Sequence, residues 1–162
     1  MSNDMISRKK KKVSSKTKQK HVVAVGVFDI LHEGHVHYLS FAKKQGDVLT
    51  VIVARDANVM RAKGYAPIMN ERQRRNMVQS LRAVDHAVVG SRKDKLGMIV
   101  SLNPSIVVVG YDHPTSASDL EKALAERGVD AHVLRAPAFK KKVFKSSLIK
   151  KKIVQSFQNT ST

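Results

Sequence analysis

Gly26-Val27-Phe28-Asp29-Ile30-Leu31-His32-Glu33-Gly34-His35 is the stretch that decides how this chain folds. It stands where the apolar run Val22-Val23-Ala24-Val25-Gly26-Val27 gives way to a helical spacing of Val36, Tyr38, Leu39 and Ala42. A strand therefore delivers its carboxyl end straight to a helix N-terminus. Unbonded backbone N–H groups and the positive end of the helix dipole suit an anion there. His32 and His35 stand at the mouth of that site, and Gly34 between them has no side chain to obstruct a ligand. Phosphate handling is the chemistry this arrangement favours. Zinc is a rival use of His32, His35 and His37, but the chain has no cysteine and lacks the H-E-x-x-H order. A structural cluster is the third reading, and His37 by itself reads as a solvent-facing helix residue.

Working outward, strand signals recur at 22–27, 48–53, 86–89, 105–109 and 131–134, with helical spacing between them. Asn70 and Gln73 form a capping-box-like start to a helix over 71–82 that presents Met77, Val78 and Leu81. Ser118 and Glu121 cap the next helix, which Gly128 ends, and Asp94 opens a helix over 95–102 that stops before Pro104. Continuous apolar strands separated by helices predict an α/β fold. Its sheet is a doubly wound, five-stranded, parallel one of Rossmann-like type, with ligands beyond the carboxyl ends of the strands. Strand 105–109 brings Gly110-Tyr111-Asp112-His113 to the same edge as the histidines. Strand 48–53 ends in Ala54-Arg55-Asp56, where Asp56 reads as a helix N-cap and Arg55 as facing a second substrate.

At 162 residues there is room for one domain, expected over 21–157, between a basic tail at 1–20 and a short flexible end at 158–162. The net charge of +17 resembles a nucleic-acid signature until it is located. Residues 1–20 hold eight Lys or Arg against one acid, residues 135–152 hold eight against none, and the remainder is nearly neutral. The first segment is too polar to bury a core and reads as a disordered tail, serving either polyanion contact or solubility. With three Tyr, five Phe and no Trp, a base-stacking platform is poorly supplied. No apolar run approaches the ~20 residues of a membrane span, and no hydrophobic secretory segment precedes the domain. A reducing, cytoplasmic setting is the expectation, and a homodimer is compatible with it.

The second basic segment, Phe139-Lys140-Lys141-Lys142-Val143-Phe144-Lys145-Ser146-Ser147, leads into a helix with Leu148, Ile149, Ile153 and Val154 at apolar spacing. Two hydroxyls at a helix N-terminus behind four lysines make a second anion site; an ordinary cap behind a solvated charge run is the alternative.

The first stretch resembles the G-x-F-D-x-x-H-x-G-H signature of the nucleotidyltransferase superfamily. That resemblance implies that His32 and His35 contact the α- and β-phosphates of a nucleoside triphosphate. It also implies a nucleotide site formed by Val27, Phe28, Asp29, Glu33 and Gly34. Asp112 is implied to hold the ribose or orient the phosphates, although a turn-capping Asp is an alternative. The segment from Phe139 resembles the R-T-x-G-I-S-T-S/T run of cytidylyltransferases, which implies closure of Phe139, Lys140, Ser146 and Ser147 over the triphosphate. Here Lys140 stands for the Arg and Val143 for the Gly.

Val53-Ala54-Arg55-Asp56, Glu71-Arg72-Gln73-Arg74-Arg75-Asn76-Met77-Val78, Gly110-Tyr111-Asp112-His113 and Ser146-Ser147 together resemble the archaeal FAD synthases over roughly residues 22–155. Two departures are lysines in place of C-terminal cysteines and His113 in place of a Gln. The implied reaction joins ATP and FMN, with Mg²⁺, to give FAD and pyrophosphate. Arg74 and Arg75 then either bind the β- and γ-phosphates or pair with acids along their helix. A cytidylyltransferase making a CDP-alcohol such as CDP-glycerol, and a nucleic-acid-binding module on an inactive fold, are the alternatives.

Overall fold

The computed structural model describes residues 19–140 and 143–158. The expected tail lies almost wholly outside the described residues, as do Lys141, Lys142 and the last four positions. Five strands, β1 (His21–Gly26), β2 (Val48–Val53), β3 (His86–Val89), β4 (Ile106–Val109) and β5 (His132–Arg135), form one sheet. The helices are α1 (Glu33–Lys43), α2 (Asp56–Lys63), α3 (Glu71–Gln79), α4 (Gly97–Leu102), α5 (Ala117–Ala125) and α6 (Ser146–Gln158).

All four strand pairings are parallel, in the order β3-β2-β1-β4-β5. The chain winds outward from β1 through β2 to β3, then crosses back to β4 and β5. The sheet is thus doubly wound, with its switch point between β1 and β4. Strand residues alternate between two cores. Val22 and Ala24 pack with Leu39 and Ala42 of α1 and Val78 of α3 on one face. Val23 packs with Ile99 of α4 and Leu120 and Leu124 of α5 on the other. Covering both faces explains why the strands read as unbroken apolar runs. Buried Thr50 is matched by His21, whose Nε2 lies 2.9 Å from its hydroxyl, so His21 is a structural histidine.

The capping box at Asn70 and Gln73 is present as expected. Three other local expectations are corrected. Ser116, not Ser118, caps α5 by accepting the Asp119 N–H at 3.1 Å, while Glu121 accepts from Val133 of β5. Asp94 accepts the Leu96 N–H, but α4 begins only at Gly97, after a turn. Helix α3 ends at Gln79, because a turn closed by Leu81 and Val84 delivers the chain to β3. Gly128, at φ 79°, ends the α5 segment as expected.

Candidate active site

The loop from β1 to α1 is bent into an unfavourable backbone. Phe28 (φ 55°) and the β-branched Ile30 (φ 53°) both occupy the left-handed region, which persists only where surroundings enforce it. Three sets of contacts enforce it. The Phe28 ring lies over Gly26, where a Cβ would meet it at 2.7 Å, and it also packs edge-on against His35 and stacks on Tyr38. Fully buried Arg74 donates to the carbonyls of Val27, Ala54 and Met69 and to Asp56 Oδ1. Asp29 accepts the Ile68 and Met69 N–H groups at 3.0 and 3.1 Å.

These contacts correct several expectations. Of the two readings open for Arg74, its contacts support pairing with an acid, though with Asp56 of α2 rather than one on its own helix, and neither Arg74 nor Arg75 lines the cleft. Asp56 is the first residue of α2 rather than its N-cap. Its Oδ2 accepts the Glu71 N–H of α3, and Glu71 Oε2 accepts the Asp56 N–H in return. Arg55 is engaged by Glu71 at 2.6 Å and the Gly90 carbonyl at 2.7 Å, so it does not face a second substrate. Both Asp29 carboxylate oxygens are likewise taken by protein groups, with Lys150 Nζ 2.7 Å from Oδ2. It shapes the wall rather than presenting a free oxygen.

His32 is the N-cap residue of α1, with extended backbone (φ −144°) and no side-chain cap. Its imidazole therefore stays available and stacks on His35, centroids 3.8 Å apart. Both Nδ1 atoms are buried without a hydrogen-bond partner among the described residues. Burial lowers both histidines, His35 to about 3 with help from His32 and Lys63 and against the pull of Asp29. Both rings are thus neutral near pH 7, each with one donor and one acceptor nitrogen. Gly34 permits the packing above them: a Cβ there would lie 3.0 Å from the His32 ring and 3.1 Å from Phe144 Cβ. Below, Tyr38 wedges the switch point. Its hydroxyl accepts the Val25 N–H at 3.2 Å and donates to the Val108 carbonyl at 2.7 Å, beyond the last β1–β4 pair. Burial pushes its phenol well above the ordinary value.

A cleft of about 450 Å³ opens at this carboxyl edge. Of the expected residues, Val27, Phe28, Asp29, His32, Gly34, His35, Asp112, Phe139, Ser146 and Ser147 line it. Glu33 does not: it is exposed in the first turn of α1. Nor does Lys140, whose ammonium lies over the Phe139 and Phe144 rings at 5.2 and 5.9 Å. His37 is not solvent-facing but stacks on Phe139 at 4.3 Å, while Val36 is 43% exposed, off the apolar face assigned to it. Ser146 does not cap its own helix; it donates to the Asp29 carbonyl at 2.5 Å, and Lys145 supplies the first α6 carbonyl. Lining residues not anticipated include Lys63, Tyr65, Pro67 and Lys150, while Tyr111 and Lys145 come from the turn and the lysine segment expected at this edge. The 110–115 turn that carries Asp112 is tied down by Arg135, which donates to the carbonyls of Gly110, Tyr111, His113 and Thr115.

A paired-histidine loop at the end of a central parallel strand is here matched, over residues 23–152, by the family described as cytidylyltransferase-like. The chain belongs to that family. Among cytidylyltransferase-like relatives, it is 43% identical over 138 residues to an FAD synthase of Methanocella arvoryzae, covering 85% of this chain and 97% of that protein. An FAD synthase of Thermoplasma acidophilum is 40% identical over 134 residues, 83% of this chain and 94% of its own. A solved structure titled a lipopolysaccharide core biosynthesis protein, from Thermoplasma volcanium GSS1, superposes with TM-score 0.72 at 36% identity, covering 76% of this chain and all of that one.

Proposed function

We propose that the protein transfers the adenylyl group of ATP to the phosphate of FMN, giving FAD and pyrophosphate. The observation that carries this reading is the 40–43% identity to archaeal FAD synthases across nearly their whole length. The cleft chemistry agrees with it: stacked neutral histidines, three lysines and three tyrosines line one cavity.

In this reading an FMN phosphate oxygen attacks the α-phosphorus of ATP, and the bond from that phosphorus to the β-phosphate bridging oxygen breaks. His32 and His35 each donate an N–H to the phosphate oxygens on which charge develops, and no covalent intermediate is needed. Lys63 and Lys145 balance charge on attacker and leaving group. A divalent cation accompanying ATP would supply further neutralisation of the phosphates. Among the described residues no three His, Cys, Asp or Glu gather to hold one; substrate phosphates commonly supply ligands to Mg²⁺.

Pyrophosphate release, assayed with ATP or CTP against FMN or glycerol 3-phosphate, tests the reading. Turnover with ATP and FMN is expected. Turnover confined to CTP and glycerol 3-phosphate would replace it with the cytidylyltransferase alternative, and no turnover with any pair would favour the inactive, polyanion-binding one.

A further inference from the structure

Helix α6 carries the lysine-serine segment to the cleft, yet it is poorly anchored. Over its 13 residues it buries none, and Ile153 and Val154 are 45% and 56% exposed. Polar contacts tie its N-terminal end to the domain. The Ser146 hydroxyl donates to the Asp29 carbonyl, Lys150 pairs with the Asp29 carboxylate, and the Lys150 ammonium also lies 5.2 Å above the Tyr65 ring. Asp29 is only 5% exposed and sits inside the histidine motif, three residues before His32. The same carboxylate holds the Ile68 and Met69 backbone, so one side chain joins the histidine loop, the segment after α2 and α6. Breaking a largely buried pair leaves its other charge uncompensated, which makes this contact costly to lose.

We propose that Lys150 is a positioning residue: its pair with Asp29 docks α6 onto the histidine loop and so sets where Lys145, Ser146 and Ser147 stand over the cleft. The inference rests on adenylyl transfer for its kinetic consequence, but the docking itself does not. With α6 docked, the lysine and hydroxyls are already in place when nucleotide arrives. Undocked, their ordering must be paid for by binding. Lys150 acts through Asp29, so losing it weakens triphosphate binding more than it slows the chemical step.

The test uses the full-length protein. In Lys150→Met, backbone amides of 146–154 should exchange at least about tenfold faster without ligand, while the amides of β1 and β4 keep their protection. KM for ATP should rise several-fold with a smaller change in kcat, and Lys150→Arg should restore both. Asp29→Asn should release α6 at least as far as Lys150→Met does, since it also loosens the Ile68 and Met69 contacts, and adding Lys150→Met to it should speed exchange over 146–154 no further, as coupled partners require. Wild-type exchange in Lys150→Met would overturn the docking. Fast exchange with unchanged KM would overturn the positioning role. Additive effects of the two substitutions would show Lys150 acting on ligand directly and overturn it as well. If the protein uses CTP instead of ATP, the exchange arm stands unchanged and the proposed function alone fails.

Discussion

The imidazoles of His32 and His35 lie face to face, centroids 3.8 Å apart and planes within 19°. Stacked and desolvated, they cannot readily both carry charge, so in the proposed reaction they would meet phosphate as neutral donors. His32→Ala and His35→Ala are each expected to lower turnover by about 10²–10³, the scale of removing one preorganised donor. Thermal unfolding should stay near wild type, since among the described residues neither Nδ1 has a hydrogen-bond partner to strand. Steady-state kinetics beside a melting curve would check this. Near-wild-type rates in both variants would take the pair out of the mechanism.

The same burial links stability to pH. The His35 value in the fold, about 3, lies below its ordinary 6.5, and His32 shifts the same way. As pH falls below 6.5, the unfolded chain takes up protons that the native rings refuse. Stability should therefore fall from pH 6.5 toward 3, at up to about 1.4 kcal/mol per unit from His35 alone. The lowered carboxylates Asp29, Asp85 and Asp94 act only below their ordinary 3.8, which leaves the range from 4 to 6.5 to the histidines. Urea titrations of wild type and His35→Ala at pH 7 and 5 should show a smaller pH dependence in the variant. Equal slopes would mean that the ring is solvated.

Arg74→Met should destabilise the fold by about 3–5 kcal/mol, because it strands three half-buried carbonyls and the Asp56 carboxylate. Denaturant unfolding measures it. A variant of native stability with only weakened ATP binding would make Arg74 a phosphate ligand after all.

Strands, winding and the histidine loop were legible because their signals are local: apolar runs of four to six residues, a Gly before Phe28, a strand running into a helix. For Arg74 two readings stay open in the sequence, phosphate binding and pairing with acids, because a charged side chain in a basic run carries no local sign of burial. Its spacing of four from buried Val78 was the available signal. Glu33 and Lys140 were carried into the site by motif membership alone. Adjacency along the chain does not fix which way a side chain points from the first turn of a helix. Lys63, Tyr65 and Lys150 reach the cleft from segments that sequence brings nowhere near the motif, and only the sheet's winding assembles them.

Removing residues 1–18 should leave kcat unchanged, since the family match begins at residue 23 and the cleft lining at Val25. The cut must spare Lys20, whose N–H binds Asp47 and whose carbonyl accepts from Asp47 in return. Heparin retention should drop in the truncated protein if the tail contacts polyanions. A large fall in kcat would instead place the tail in the reaction.

The contact between Ser146 and Asp29 spans 117 positions of sequence. During synthesis the histidine motif therefore leaves the ribosome long before the helix that rests on it. A nascent chain ending at β5 has every strand and both imidazoles, yet its loop lacks the hydroxyl and ammonium that reach Asp29. Translation order thus keeps the finished cleft from existing until α6 has been made, and a chain interrupted at β5 lacks the two groups that brace Asp29.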